Sequence, residues 1–218
     1  CFGSITLSSG MTLTASTQLY VFEGRGGAFT LTSAGKTWGK TFTFSCLGGS
    51  LTLQDAFVST SASAFSFLAG EFDANDFNVT SAGTFSSTNS SFVRTITMGN
   101  GIWECNGNLD PWSVASSNLT VNAEGSTIKH TGALTAQKQF AGGGKTYNNY
   151  WNATTGAFAE QISGRNVFND FKINAGRAQR FVATTTQTVT SFTAIGSSGN
   201  VITIDSNIAG SQANLSKA

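Results

Sequence analysis

Three carboxylates within one short stretch are the residues best placed to carry out chemistry. Glu71 and Asp73 are two positions apart, so a strand places both on one face, and Asn75 and Asp76 follow directly. Carboxylate and amide oxygens are ligands for a hard cation such as Ca2+, so these residues are a candidate calcium site. The alternative, which we favour, is a turn in which the Asp and Asn side chains bind their own backbone.

No recognisable catalytic set accompanies these acids, and we predict neither a cofactor nor an enzymatic activity. His130 is the sole histidine, no Gly-x-Ser-x-Gly elbow precedes it, and we expect it at a strand end facing solvent. Gly-Lys-Thr occurs three times, but each copy lacks the upstream glycine of a phosphate-binding loop. A glycosidase-like pair of carboxylates from distant parts of the chain stays open as an alternative.

Aromatic side chains are the other candidates for binding. Trp112 lies in the stretch Asn106 to Ser117, and Tyr150 and Trp151 lie near the end of an apolar run. Flat rings of this kind stack on sugars or anchor a protein contact, so we predict these three residues as a binding set. Packing in the core is the alternative for each of them.

Composition restricts the class of protein. The chain has 218 residues, only 11% of which are charged, and its net charge is +1. No basic cluster is present to attract nucleic acid, and no apolar run has the length of a membrane span. Among the three cysteines, Cys46 and Cys105 are predicted to be small buried side chains, and Cys1 makes the count odd.

Short runs rich in Thr, Val, Ile and Phe follow one another along the chain, separated by turns of Gly, Asn and Ser. In Thr41 to Phe44, apolar residues alternate with Thr, which predicts strands with one buried face. The rhythm indicates a single all-β domain over residues 1–218, which we expect to be a piece of a longer or processed protein. Asn106 to Ser117 is predicted to project as a loop, and Leu134 to Phe140 is the one plausibly helical window.

Internal repetition favours a coiled arrangement of these strands. Thr32 to Trp38 recurs in outline as Thr80 to Phe85, and the interval between repeats is irregular. Unequal repeats argue against a propeller but suit a parallel β-helix, in which each turn carries its own loop length.

Four segments resemble Ser/Thr/Gly-rich right-handed β-helix repeats of bacteriophage virion proteins and bacterial surface or adhesin proteins. The resemblance extends over about residues 29–218. The segments are FDANDFNVTSAGTFSSTNSSFVRTITMGNGIWECNG (72–107), FAGGGKTYNNY (140–150), NVFNDFKIN (166–174) and TQTVTSFTAIGSSGN (186–200). The predicted fold is therefore a right-handed parallel β-helix, with a β-sandwich or jelly roll as the alternative.

The resemblance also implies a role and partners. It suggests a non-enzymatic structural component of a phage particle (capsid decoration, tail or fibre) or of an extracellular fibre, located outside the cell or on the virion surface. The alternatives are a glycan- or receptor-binding adhesin module and a polysaccharide lyase or hydrolase. We expect the solenoid ends to contact other copies of the chain or neighbouring structural proteins, and cell-surface glycans are further candidate partners.

Overall fold

The computed structural model describes residues 3–13, 19–88, 91–107 and 110–218. Cys1 and residues 108–109 of the predicted loop lie outside this part of the chain. The described residues form 24 strands, which are, in chain order, β1 (Ile5–Thr6), β2 (Tyr20–Phe22), β3 (Ala28–Thr32), β4 (Thr37–Trp38), β5 (Phe42–Leu53), β6 (Phe57–Ser59), β7 (Phe65–Asp73), β8 (Val79–Ser81), β9 (Phe85–Ser86), β10 (Arg94–Thr97), β11 (Ile102–Cys105), β12 (Trp112–Ser113), β13 (Leu119–Asn122), β14 (Thr127–His130), β15 (Ala133–Leu134), β16 (Lys138–Ala141), β17 (Thr146–Asn152), β18 (Thr155–Gly156), β19 (Ala159–Ser163), β20 (Val167–Ile173), β21 (Ala178–Phe181), β22 (Thr186–Ala194), β23 (Thr203–Ser206) and β24 (Asn214–Lys217).

These strands coil into a β-solenoid of about nine turns. One sheet contains thirteen strands, a second contains nine, and β15 and β18 form a small third sheet. Strands that pair come from successive turns of the chain and run parallel, as in β11–β14–β17–β20. The parallel β-helix predicted from the sequence is therefore confirmed, and the sandwich alternative is wrong. We call each turn of the chain a rung.

Two long strands pass around a corner of the solenoid. The first halves of β5 and β7 pair with each other and with β2 and β9, whereas their second halves pair with β3 and β10. At the corner, four residues of β5 (46–49) lie opposite a single residue of β7, Gly70. The corner of β5 therefore projects beyond the corner of β7.

The interior is a column of aromatic side chains stacked in register. Phe42, Phe65, Phe85, Trp112 and Phe140 are consecutive in one ladder, and their successive ring centroids lie 5.1, 4.9, 4.8 and 6.3 Å apart. All five side chains are fully buried. Burial of one such side chain contributes about 1.5–3 kcal/mol, so this column accounts for much of the stability.

Two predictions about local structure are wrong. The stretch Asn106 to Ser117 does not project as a loop in its described part, because β12 lies within it and places Trp112 in the aromatic column. Pro111 precedes this strand, and its carbonyl oxygen accepts a hydrogen bond from the backbone N–H of Phe85. The window predicted as plausibly helical contains β15 and the start of β16, and no helix occurs in the described residues.

Candidate functional site

The acidic stretch at the end of β7 forms a turn. Glu71 and Asp73 share the outer face of β7, as predicted. Asp73 Oδ1 accepts a hydrogen bond of 2.8 Å from the backbone N–H of Asn75. Asp76 Oδ1 instead accepts two hydrogen bonds from Asn100, each of 2.8 Å. Asn75 and Asp76 have φ of 49° and 63°, a left-handed conformation that Asn and Asp tolerate well. The turn interpretation is confirmed.

The three carboxylates do not converge on one point, because Asp73 and Asp76 are each oriented by a different local partner. Among the residues that the structure describes, no group of three or more His, Cys, Asp or Glu side chains is placed to hold a metal ion. The calcium site considered from the sequence is therefore not supported.

Two of the three aromatic residues predicted to bind ligands are buried. Trp112 and Tyr150 are both fully enclosed in the lumen, so neither can stack on a sugar from solution. Trp112 follows a proline in a stretch rich in Asn and Ser, a setting that favours the surface. Tyr150 lies on the inward face of β17, in which Tyr147, Tyr150 and Asn152 are buried and Asn148 and Asn149 together interrupt the alternation. The prediction of a binding set is wrong for these two residues.

Trp151 is half-buried on the outer face of the nine-stranded sheet. Lys129 from the preceding rung and Lys172 from the following rung place their Nζ atoms 4.9 and 4.2 Å from the ring centroid. The indole Nε1 donates a hydrogen bond of 2.8 Å to Asn174 Oδ1. Cation–π contacts from both neighbouring rungs hold the ring, and a sugar would have to displace them in order to stack on it.

A buried polar cluster crosses the lumen, and the sequence reasoning missed it. Cys105, His130 and Asn152 are consecutive in the nine-stranded sheet, while Lys138, Glu160 and Gln179 are consecutive in the thirteen-stranded sheet. His130 Nδ1 pairs with Glu160 Oε1, and both side chains are fully buried. The prediction that His130 faces solvent is wrong. Its alternation with Ile128 in β14 was the available signal, because residues two apart share a face.

Hydrogen bonds extend the polar cluster in both directions. Asn152 Nδ2 donates to Gln179 Oε1 at 3.0 Å, and Gln179 Nε2 donates to the Glu160 carbonyl oxygen at 2.8 Å. Lys138 Nζ donates to the carbonyl and side-chain oxygens of Asn106, both at 3.3 Å. Burial lowers the pKa of Lys138, and the carboxylate of Glu160 partly offsets this shift. The cluster thus joins the two large sheets from inside.

Three buried atoms in or beside this cluster have no hydrogen-bond partner among the described residues: His130 Nε2, Tyr150 Oη and Glu160 Oε2. Burial raises the pKa of Tyr150 well above its usual value, and the nearby Glu160 raises it further. Burial likewise raises the pKa of the Cys105 thiol, with smaller contributions from Glu104 and Glu160. A protonated, enclosed thiol is a poor nucleophile.

A large depression on the surface of the described chain lies where β5 and β7 turn the corner. It consists of two adjoining cavities that share Leu47 in their walls, and their volumes are about 650 and 470 Å³. We call it the corner groove and define it by six residues: Leu47, Gly48, Gly70, Glu71, Phe92 and Val93. The signal in the sequence is a set of glycines at 26–27, 48–49 and 70, spaced by about one rung.

Comparisons with known proteins identify no relative. The chain matches no protein-family model, no curated protein and no solved structure at a significant level. Within the described ranges, no helix has the length and apolar character needed to cross a bilayer.

Proposed function

We propose that this protein is a non-enzymatic structural component of a bacteriophage particle or of an extracellular fibre. The observation that carries the proposal is the aromatic column, in which Phe42, Phe65, Phe85, Trp112 and Phe140 stack without a break through successive rungs. A lumen filled in this way resists bending and local collapse, because each ring is held by rings of both neighbouring rungs. Rigidity of this kind suits a body that bears load or spaces other parts of an assembly.

The surface supports the same role. Ser, Thr, Asn and Gly cover the outer faces, and only 11% of the residues are charged. Such a surface is hydrated without creating a strong electric field, which suits an exposed position on a virion or outside a cell. The proposed location is accordingly the virion surface or the extracellular space.

The edges of the two large sheets are the proposed contacts with other subunits. β1 and β4 lie at one edge of their sheets, and β23 and β24 lie at the opposite edge. Ile204 in β23 and Leu215 in β24 are exposed apolar side chains. Because all of these strands run in the same direction, a second copy stacked head to tail would continue both sheets and extend a fibre.

Electron cryo-microscopy of the native material tests the structural role. We expect repeated copies in a shell or fibre, joined by the same edges in each pair. Isolated monomers that make no repeated contact would contradict the proposal.

Sedimentation velocity of the purified chain tests the end-to-end contact separately. We expect association that increases with concentration and is lost in the Ile204→Lys and Leu215→Lys variants. Thr120→Lys, a substitution on an exposed lateral position, is the control and should leave association unchanged. A wild-type chain that stays monomeric at every concentration would refute stacking of identical copies.

A further inference from the structure

The corner groove exists because three neighbouring rungs turn the corner differently. β5 uses residues 46–49 to turn, whereas β7 turns at Gly70 alone. The next rung, which reaches β10 through Phe92 and Val93, stacks on the other side of β7. The short corner of β7 therefore lies between the longer corner of β5 on one side and Phe92 and Val93 on the other.

The width of the groove suits one polypeptide chain. Neighbouring strands in a sheet are about 4.8 Å apart, so the rungs on the two sides of β7 are separated by about 10 Å. The floor is bare backbone, because Gly70 has φ of 90° and a Cβ atom there would lie 2.0 Å from the Cys46 carbonyl oxygen. The backbone of the β5 corner therefore packs directly against Gly70, and a side chain is excluded at this position.

The walls of the groove are apolar. Leu47 is 43% exposed on one side, and Phe92 and Val93 are 47% and 77% exposed on the other. Leu47 and Val93 have aliphatic side chains, which fit the side chain of an apolar amino acid better than a sugar, and Phe92 is the one aromatic residue among the six that define the groove. The walls therefore favour a peptide as the occupant.

One end of the groove carries an accessible negative charge. Glu71 is exposed, forms no ion pair with the described residues, and lies in register between Ser50 and Thr95. The neighbouring Arg94 is buried and directs its guanidinium inward, with Nη1 donating to both oxygens of Ser87 at 2.8 Å. The Arg94 side chain therefore does not cover the Glu71 carboxylate, which is available to a cationic ligand group. Glu23 and Arg25, of opposite charge, line the other end.

We propose that the corner groove binds one extended peptide segment of a partner protein. An apolar side chain of that segment lies between Leu47 and Val93, and a Lys or Arg side chain contacts Glu71. Alternate residues of an extended chain face the same side, so the apolar and basic residues are two positions apart in the recognised sequence.

A peptide array probed with the full chain tests this proposal. The array contains short peptides in which Leu, Val or Phe is followed two positions later by Lys, Arg, Ser or Glu. We expect the Lys and Arg peptides to be retained and the Glu peptides to be lost. The best peptide is then labelled, and its dissociation constant is measured by fluorescence polarisation.

Two groove variants and two matched control variants measure how much Glu71 and Val93 contribute to the affinity for the peptide. Glu71→Gln is expected to weaken binding about fivefold, the upper range for an exposed ion pair. Val93→Ser is expected to weaken it about tenfold through lost apolar burial. Glu124→Gln and Val201→Ser change residues of the same types at exposed positions away from the groove and should leave binding unchanged.

Three other outcomes would contradict the proposal. Equal retention of basic and acidic peptides would refute the role of Glu71, and equal effects of groove and control variants would place the site elsewhere. Binding of an oligosaccharide array that is lost in Val93→Ser would identify the groove as a glycan site instead. Thermal unfolding monitored by circular dichroism confirms that each variant is folded.

Discussion

The His130–Glu160 pair provides the strongest test of how the lumen is stabilised. Both side chains are fully buried and pair across the solenoid, so each provides a polar partner that water cannot supply. We consider three variants: His130→Leu, Glu160→Leu and the combination of both. Leucine fills a similar volume, so the variants differ chiefly in the polar groups that they leave behind.

Removal of one partner of a buried pair leaves the other uncompensated, which costs about 3–5 kcal/mol of unfolding free energy. Glu160→Leu is expected to be the more damaging single change, because Glu160 also offsets the effect of burial on the pKa of Lys138. His130→Leu leaves Glu160 in place beside Lys138 in the ladder, so the loss of stability is smaller. The double variant removes both the acid and its orphaned partner, and it should be at least as stable as Glu160→Leu.

Urea unfolding, followed by tryptophan fluorescence and circular dichroism, measures the three variants at neutral pH. The expected coupling between the two positions is about 3 kcal/mol, at the upper end for contacting residues. A surface pair in the same solenoid is the control: Lys129 Nζ lies 3.6 Å from Glu104 Oε2, and both groups are partly exposed. The corresponding cycle for that pair should give a coupling of about 0.2–1 kcal/mol.

Additive effects of the two leucine substitutions, within about 0.5 kcal/mol, would refute this reasoning. Such a result would mean that His130 and Glu160 do not depend on each other for stability. A double variant less stable than either single variant would also contradict the argument.

Three further predictions concern the tyrosines, the corner glycines and the aromatic column. Tyr147→Phe should cost about 1–2 kcal/mol because its hydroxyl makes two hydrogen bonds. Tyr150→Phe should cost less than Tyr147→Phe, because the Tyr150 hydroxyl makes no well-formed hydrogen bond with the described residues and interacts with the nearby side chain of Glu160. Burial raises the pKa of Tyr150 above its ordinary value of 10.0, so the unfolded chain loses the hydroxyl proton at a lower pH than the folded chain does. The free energy of unfolding should therefore fall as the pH rises past that value, and it should fall less steeply in Tyr150→Phe. Urea unfolding at a series of increasing pH values measures this difference. Gly70→Ala should cost about 3 kcal/mol or more, because the new Cβ atom would meet backbone oxygens of the preceding rung. Gly48→Ala, which also has positive φ but lies in open space, should cost about 1–2 kcal/mol. Equal losses of stability in thermal unfolding would contradict the clash at Gly70. Phe85→Ala should cost about 3–5 kcal/mol in urea unfolding, and a loss below about 1 kcal/mol would show that the column is not the main source of stability.

The course of the strands could be predicted because their residues alternate in register with the two sides of a sheet. Thr41 to Phe44 and Leu51 to Leu53 alternate apolar residues with Thr, which predicts one buried face, and both segments belong largely to β5. The recurrence of turn residues at unequal intervals indicated a coil rather than a closed fold. The local pattern therefore predicted the architecture, because every rung has to bury an apolar face against its neighbours.

The lumen contacts could not be predicted in the same way. His130 and Glu160 are thirty residues apart, and their meeting depends on the length of each intervening corner. The prediction for Trp112 was wrong because the composition around Pro111 outweighed the apolar character of the residue itself. The corner groove depends on the difference in length between successive corners, a quantity that strand periodicity does not contain.

The pairing of each rung with its immediate neighbours has a consequence for how such a chain can evolve. Insertion or deletion of one complete rung preserves every remaining ladder, as long as the new neighbours present matching lumen side chains. Each such event changes the length of the body by about 4.8 Å while its cross-section stays the same. The length of this solenoid can therefore be selected in discrete steps, without a new fold.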